Sequence, residues 1–162
     1  NRAGHCFVGA AERDGVRLVS AVLGSGWGDA GKQKKWTDTK ALMDYGFAAF
    51  HPYEAVQAGE SFGEIRITDS PTAQMETILA EGYTALFSDA EIEKLHLTAD
   101  LPKELAAPVH RGERLGQAVL WLGEERLAVV DLLAVEDAEP FTLAQRLLRL
   151  AERWLGWRDW RD

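Results

Sequence analysis

Serine is the residue type that would matter most for hydrolytic chemistry here, and the chain has Ser20, Ser25, Ser61, Ser70 and Ser88. None is followed three residues on by lysine, the spacing that sets a base one helical turn from a nucleophile. Asn1 is the sole asparagine, and no Lys-Thr-Gly, Lys-Ser-Gly or Gly-x-Ser-x-Gly occurs. Phosphate loops and dinucleotide fingerprints are also absent from the sequence. His5, His51, His96 and His110 are scattered without ligand spacing, and a single cysteine, Cys6, excludes an internal disulfide and a cysteine-based metal cluster. The reading is therefore no catalytic residue, no metal ligand and no cofactor. Cys6 lies in an apolar stretch and is expected to be a buried, inert thiol. His5 and His96 read as strand residues facing water or a neighbour. Glu124-Glu125 and Glu136-Asp137 read as solvated turn and strand-end acids, and Ser88-Asp89-Ala90-Glu91 as the capping box of one helical turn.

One segment does carry a functional signature. Near the C-terminus Arg146, Arg149 and Arg153 recur on one side of a helical pattern, while Leu147, Leu150, Ala151, Trp154 and Leu155 recur on the other, followed by Trp157 and Trp160. A basic face, an apolar face and clustered tryptophans describe a helix lying in a membrane interface. The same pattern also describes a helix packed on its own domain or a partly ordered tail, and Asp159 and Asp162 count against the membrane. Five arginines and three acids give Phe141 to Asp162 a local charge of +2, and the whole chain carries -8, so the rest carries -10. That balance argues against nucleic acid as a partner. No apolar run reaches the length of a membrane span.

The elements that would carry these residues follow from periodicity. Ala3 to Gly24 reads as an apolar run, an Asp14-Gly15 turn and a second apolar run, a strong hairpin signal because both turn residues must accept positive φ. The chain enters this hairpin without a cap or polar preamble, so it is expected to begin inside a larger protein. Two strands alone are marginal in water, and an open edge predicts self-association, visible as concentration-dependent mass in light scattering. A helix is expected from about Gly31 to Phe50, with Trp36, Met43, Phe47 and Phe50 as its core face and Lys32, Lys35 and Asp44 outward. His51-Pro52 stops it and marks a boundary.

From Tyr53 to about Glu139, short strands are expected at Glu64 to Thr68, Gln74 to Ala80, Tyr83 to Phe87, Leu95 to Leu101, Gln117 to Leu122 and Arg126 to Val135. Val56 to Glu64 is echoed at Val109 to Gln117, as Val-x-x-Gly-Glu-x-apolar-Gly, which suggests two similar β-layers facing each other. A last helix begins near Pro140, with Thr142 and Gln145 as a weak capping box. The fold class is α+β: a hairpin and helix over residues 1–51, a small all-β sandwich over 52–139, and an amphipathic helix over 140–162.

In this order the pieces resemble a known series. AGHCFVGAAERDGVRLVSAVLG followed by KKWTDTKALMDYGFAAF is similar to the end of the transpeptidase lobe of the D-alanyl-D-alanine carboxypeptidases, the low-molecular-mass penicillin-binding proteins of the serine-peptidase type. VQAGESFGEI, LPKELAAPVHRGERLGQAVL and LLAVEDAE then resemble that family's C-terminal β-domain. The resemblance implies a parent enzyme that removes the terminal D-alanine from peptidoglycan stem peptides through an acyl-enzyme. It places the enzyme outside the cytoplasm, peripheral on the outer face of the cytoplasmic membrane. The family's Ser-x-x-Lys, Ser-x-Asn and Lys-Thr-Gly boxes would all lie upstream, so none is carried over to a residue here, and the segment alone is expected to be inert. A basic residue often follows the hairpin in that family; here SGWGDAGKQKK has no arginine, and Lys32 or Lys34 would substitute. The resemblance also implies that the C-terminal helix is the anchor. Leu147, Leu150, Trp154, Leu155 and Trp157 would then meet lipid, and Arg146, Arg149 and Arg153 anionic headgroups.

Two functional readings follow. In the first, the chain is the support and membrane pedestal of a serine carboxypeptidase, partnered by its upstream catalytic lobe. In the second, it is a non-catalytic β-sandwich module that binds a partner at the cell envelope. A lipoyl-type carrier needs a lysine at a hairpin tip, and neither Lys94 nor Lys103 has that setting.

Overall fold

A computed structural model describes residues 3–155. The elements in chain order are β1 (Phe7–Arg13), β2 (Val16–Val22), α1 (Gly28–Ala49), β3 (His51–Val56), β4 (Ser61–Thr68), β5 (Gln74–Leu79), β6 (Tyr83–Phe87), α2 (Asp89–Ile92), β7 (Leu95–Asp100), β8 (Glu104–Ala106), β9 (Arg114–Leu122), β10 (Glu125–Ala134) and α3 (Leu143–Leu155). The class is α+β, as expected. The chain divides into two units, one drawn from Asn1–Ala55 and Thr84–Leu95, the other from Val56–Tyr83 and His96–Asp162.

In the first unit β1 and β2 pair antiparallel in unbroken register from Phe7↔Val22 to Arg13↔Val16. Asp14 and Gly15 between them have φ of 51° and 79°, the two positive values that match the twist of the flanking strands. One face of the hairpin meets α1. The Phe7 and Trp36 ring centroids are 4.4 Å apart, and the Arg13 guanidinium lies 4.6 Å over the Phe47 ring. A Cβ on Gly46 would come within 2.6 Å of Leu18. Period-two alternation sends Val8, Val19 and Leu23 to the other face, where they are 67–76% exposed.

Several expectations change here. The Cys6 thiol, just ahead of β1, is exposed, not buried; it is in step with exposed Val8 two residues on. His5 likewise precedes the strand; its Nε2 lies 3.1 Å from the Gly28 carbonyl oxygen. α1 starts at Gly28, three residues before the expected position, and Lys32 and Lys34 lie on it. Gly31 makes that early start possible: a Cβ there would fall 2.3 Å from the Gly26 carbonyl carbon. Of the predicted core stripe only Met43 is buried, and Trp36 is half exposed, since two strands are too narrow to cover a 22-residue helix.

After α1 the chain passes directly into β3, which pairs with β6. Tyr53 meets Phe87 edge-on, with centroids 6.4 Å apart. α2 is the expected single turn: the Glu91 carboxylate accepts from the Ser88 N–H at 2.8 Å and from its hydroxyl at 2.7 Å. Those two bonds hold the Glu91 carboxyl below its ordinary value.

The second unit is a six-stranded sheet in the order β7-β9-β10-β5-β4-β8, with β8 parallel to β4. Its interior is filled by Ile65, Met75, Leu79, Leu120 and Leu132 with Val56, Val109 and Thr77, all fully buried. The sequence echo proves to be a structural repeat. Gly59 and Gly112 both have φ of 79°. The Gly59 N–H donates to the Leu79 carbonyl and the Gly112 N–H to the Ala134 carbonyl; the Leu79 N–H donates to the Glu60 carbonyl and the Ala134 N–H to the Glu113 carbonyl, all at 2.8–3.0 Å. Leu79 and Ala134 are thus equivalent, as are Thr77 and Leu132. In the β5–β10 pair Leu79 faces Leu132 and Thr77 faces Ala134, with Ile78 opposite Leu133 at the centre. A local two-fold axis therefore passes between Ile78 and Leu133. The two copies are continuous through this seam and share one core, in which Ile65, Ile67 and Met75 of the first copy cluster with Leu115 and Ala134 of the second.

Candidate functional site

α3 grows from a built cap. The Thr142 N–H and hydroxyl reach Gln145 Oε1 at 2.9 and 3.0 Å, and the Gln145 N–H returns to Thr142 Oγ1 at 3.3 Å, so two of the orphan donors at the helix start are satisfied. Arg153 stands in the last turn, where the helix dipole favours a cation.

The apolar side of α3 is bare. Leu143 is 81% exposed, Leu147 67% and Trp154 76%, and Leu148 and Leu150 are exposed as well. Leu143 and Leu148 extend the apolar face beyond the residues singled out from the sequence. The side chain of Leu155 and all of Trp157 and Trp160 lie outside the described residues. The basic side faces the β-domain. Arg146 pairs with Asp69 at 3.4 Å, and Arg149 lies over the Phe141 ring at 4.3 Å. Between α3 and the β4–β5 loop is a cleft of about 550 Å³ lined by Asp69, Phe141 and the polar side of the helix.

That loop fixes the helix root. Asp69 has φ of 63°, a conformation that aspartate and asparagine accept more readily than most residues. Its carbonyl accepts from the Phe141 N–H at 2.8 Å. The buried Ser70 hydroxyl donates to the Glu139 carbonyl at 2.8 Å. Phe141 and Asp69 were missed from sequence because Asp69 and Arg146 are 77 residues apart, beyond any local pattern.

Among the described residues, those that could do bond chemistry are not brought together. Ser70 and Ser88 are engaged structurally, and Ser20 and Ser25 are buried in the first unit. His51 lies 3.5 Å from Asp89, and His110 3.8 Å from Asp137. His96, on β7 as expected, stacks near Trp121 with ring centroids 6.5 Å apart. Among the described residues no three histidine, cysteine or acidic side chains converge on one point, and no described helix is long and apolar enough to cross a membrane.

Comparison with known proteins decides the family. The family model "Penicillin-binding protein 5, C-terminal domain" matches residues 50–140, more than half of the chain. The chain belongs to this family. It is 25% identical over 141 residues to the D-alanyl-D-alanine carboxypeptidase DacA of Haemophilus influenzae, covering 85% of this chain and 34% of that protein. It is 20% identical over 153 residues to DacF of Bacillus subtilis, covering 94% and 38%. The chain thus spans about a third of the length of these relatives. Penicillin-binding protein 5 of Haemophilus influenzae superposes with a TM-score of 0.54 at 23% identity, covering 85% of this chain and 40% of that one. The carboxypeptidase DacD of Francisella tularensis superposes with 0.55 at 21%, covering 86% and 34%. These likenesses show a shared fold. The penicillin-binding protein 5 match spans β3 to the segment before α3, and the longer alignments take in part of what flanks it, as the sequence resemblance implied.

Proposed function

We propose that this chain is the C-terminal part of a serine-type D-Ala-D-Ala carboxypeptidase that trims peptidoglycan stem peptides through an acyl-enzyme. The segment itself acts as support and membrane pedestal at the outer face of the cytoplasmic membrane. The observation that carries this reading is the family match, together with carboxypeptidase relatives about three times as long. Nucleophilic catalysis needs the nucleophile, its base and oxyanion donors in one place, and this chain's sequence holds no Ser-x-x-Lys. Its own residues therefore make no bond-forming contribution. β1 and β2 form a sheet of two strands with an apolar outer face, a surface suited to an upstream catalytic lobe. The exposed leucines and Trp154 of α3 are suited to the lipid interface.

Fluorescent-penicillin labelling of the native gene product in cell-envelope fractions tests the parent activity. A labelled band well above 18.0 kDa is expected, and no label on the isolated chain. A product of this size without label would sink the enzyme reading in favour of a non-catalytic envelope module. The open edges of the hairpin predict that the isolated chain self-associates. Light scattering should show mass rising with concentration, and a strict monomer at high concentration would contradict it.

A further inference from the structure

We propose that the cleft between α3 and the β4–β5 loop is a phosphate-binding site, with Arg149 as its principal ligand and Arg146 and Arg153 as flanking cations. For a lipid source of the phosphate the inference rests on the membrane reading of α3; the site itself does not. Residues 146, 149 and 153 fall on successive turns of one helix side, each turn rising about 5.4 Å. All three line the cleft. Arg149 is oriented before any ligand arrives, because its guanidinium lies against Phe141 at 4.3 Å. Stacking restrains the plane of the guanidinium and leaves its edge donors to an acceptor that presents two oxygens, such as phosphate. Arg146 is held by Asp69 through a 3.4 Å contact between half-exposed side chains, a pair weak enough to be shared with a stronger anion. The Asp69 carboxylate is thereby part tether and part competitor. The cleft, about 550 Å³, has room for a phosphate with its glycerol. Leu150 forms its border with the apolar face of the helix, so a seated headgroup would direct its acyl chains toward the exposed leucines. The lining sets three arginines against two carboxylates, Asp69 and Glu152, so it keeps a positive balance in a chain of net charge -8, and Glu152 joins Asp69 as a competitor for the arginines.

The test uses the full chain with two probes. Soluble glycerol 1-phosphate is titrated while the Phe141 ring and arginine Nε–H signals are followed by NMR. Vesicles of phosphatidylcholine, with and without phosphatidylglycerol, are assayed by co-sedimentation. Arg149→Ala is expected to weaken glycerol phosphate about tenfold and to remove the preference for phosphatidylglycerol. Arg149→Lys restores charge without the planar stack and should rescue only in part. Asp69→Asn is expected to tighten binding, and its backbone cost is small because asparagine accepts positive φ. Unchanged binding in Arg149→Ala, or weaker binding in Asp69→Asn, overturns the site. Equal sedimentation with both vesicle types and no shift with glycerol phosphate overturns the site while the membrane reading survives. Glycerol phosphate binding with the expected variant effects, but no sedimentation with any vesicle, supports the site with free phosphate as its source and defeats the membrane reading.

Discussion

Gly116→Ala is expected to destabilise the six-stranded unit by about 3 kcal/mol. A Cβ at this position of β9 would stand 2.4 Å from the Asp100 carbonyl oxygen and 2.7 Å from Leu101 Cδ2. The Leu101 methyl can rotate away, but the carbonyl belongs to the last residue of neighbouring β7 and can move only if the strand moves. On its other side Gly116 pairs with Leu132, which is fully buried. The methyl is therefore caught between two strands, and relieving it displaces either the β7 edge or the core. Domains of this size are stable by roughly 5–15 kcal/mol, so the loss is a large share of the total. Urea unfolding followed by circular dichroism reads it. Gly123→Asn in the same unit is the control: Gly123 has φ of 59° with nothing within 4 Å of a Cβ, and asparagine tolerates that backbone. Nearly equal midpoints for the two variants would refute the steric account.

The second large effect is expected at the apolar face of α3. Leu147→Glu combined with Trp154→Glu should lower partition onto phosphatidylglycerol-containing vesicles by about a hundredfold or more. Each side chain would bury in the interface for about 1.5–3 kcal/mol, and each 1.4 kcal/mol is roughly tenfold. Both residues are exposed, so their replacement removes no internal packing, and circular dichroism in solution should not change. Partition unaltered by the double substitution would mean that this face does not meet lipid. Combined with the cleft variants, the experiment separates the apolar from the ionic contribution of a single helix.

Local signals were legible in the sequence where geometry demands particular residues. Asp14-Gly15 announced its hairpin, Ser88 to Glu91 and Thr142 to Gln145 announced their capping boxes, and β6 matches its expected span residue for residue. The glycine echo was visible because both turns need the same positive φ. Other features needed the fold. β3 carries Pro52, and a proline in a short run argues against a strand, although it is tolerated near a strand's start or edge. β8 has only three residues, below the length at which alternation can be counted. The exposure of Cys6 follows from which alternating set of the hairpin α1 covers, and a run that is apolar on both sets does not say which. Of the candidate site, the arginines and leucines of α3 were readable from helical periodicity. Their division into a bare apolar side and a basic side turned to Asp69 and Phe141 was not, because it depends on where the β4–β5 loop lies.

The seam between β5 and β10 also bears on how the sheet comes together. Each glycine turn joins residues close in the chain, Gly59 to Leu79 and Gly112 to Ala134, so either hairpin can close with modest loss of chain entropy. The seam joins residues much further apart, Leu79 to Leu132, yet closure entropy grows only logarithmically with loop length. The same three residue pairs bring Thr77, Leu79, Leu132 and Ala134 out of water. The longest closure is thus also the step that dries the interior. Neither hairpin has a complete core before it, which binds the two halves into one cooperative unit.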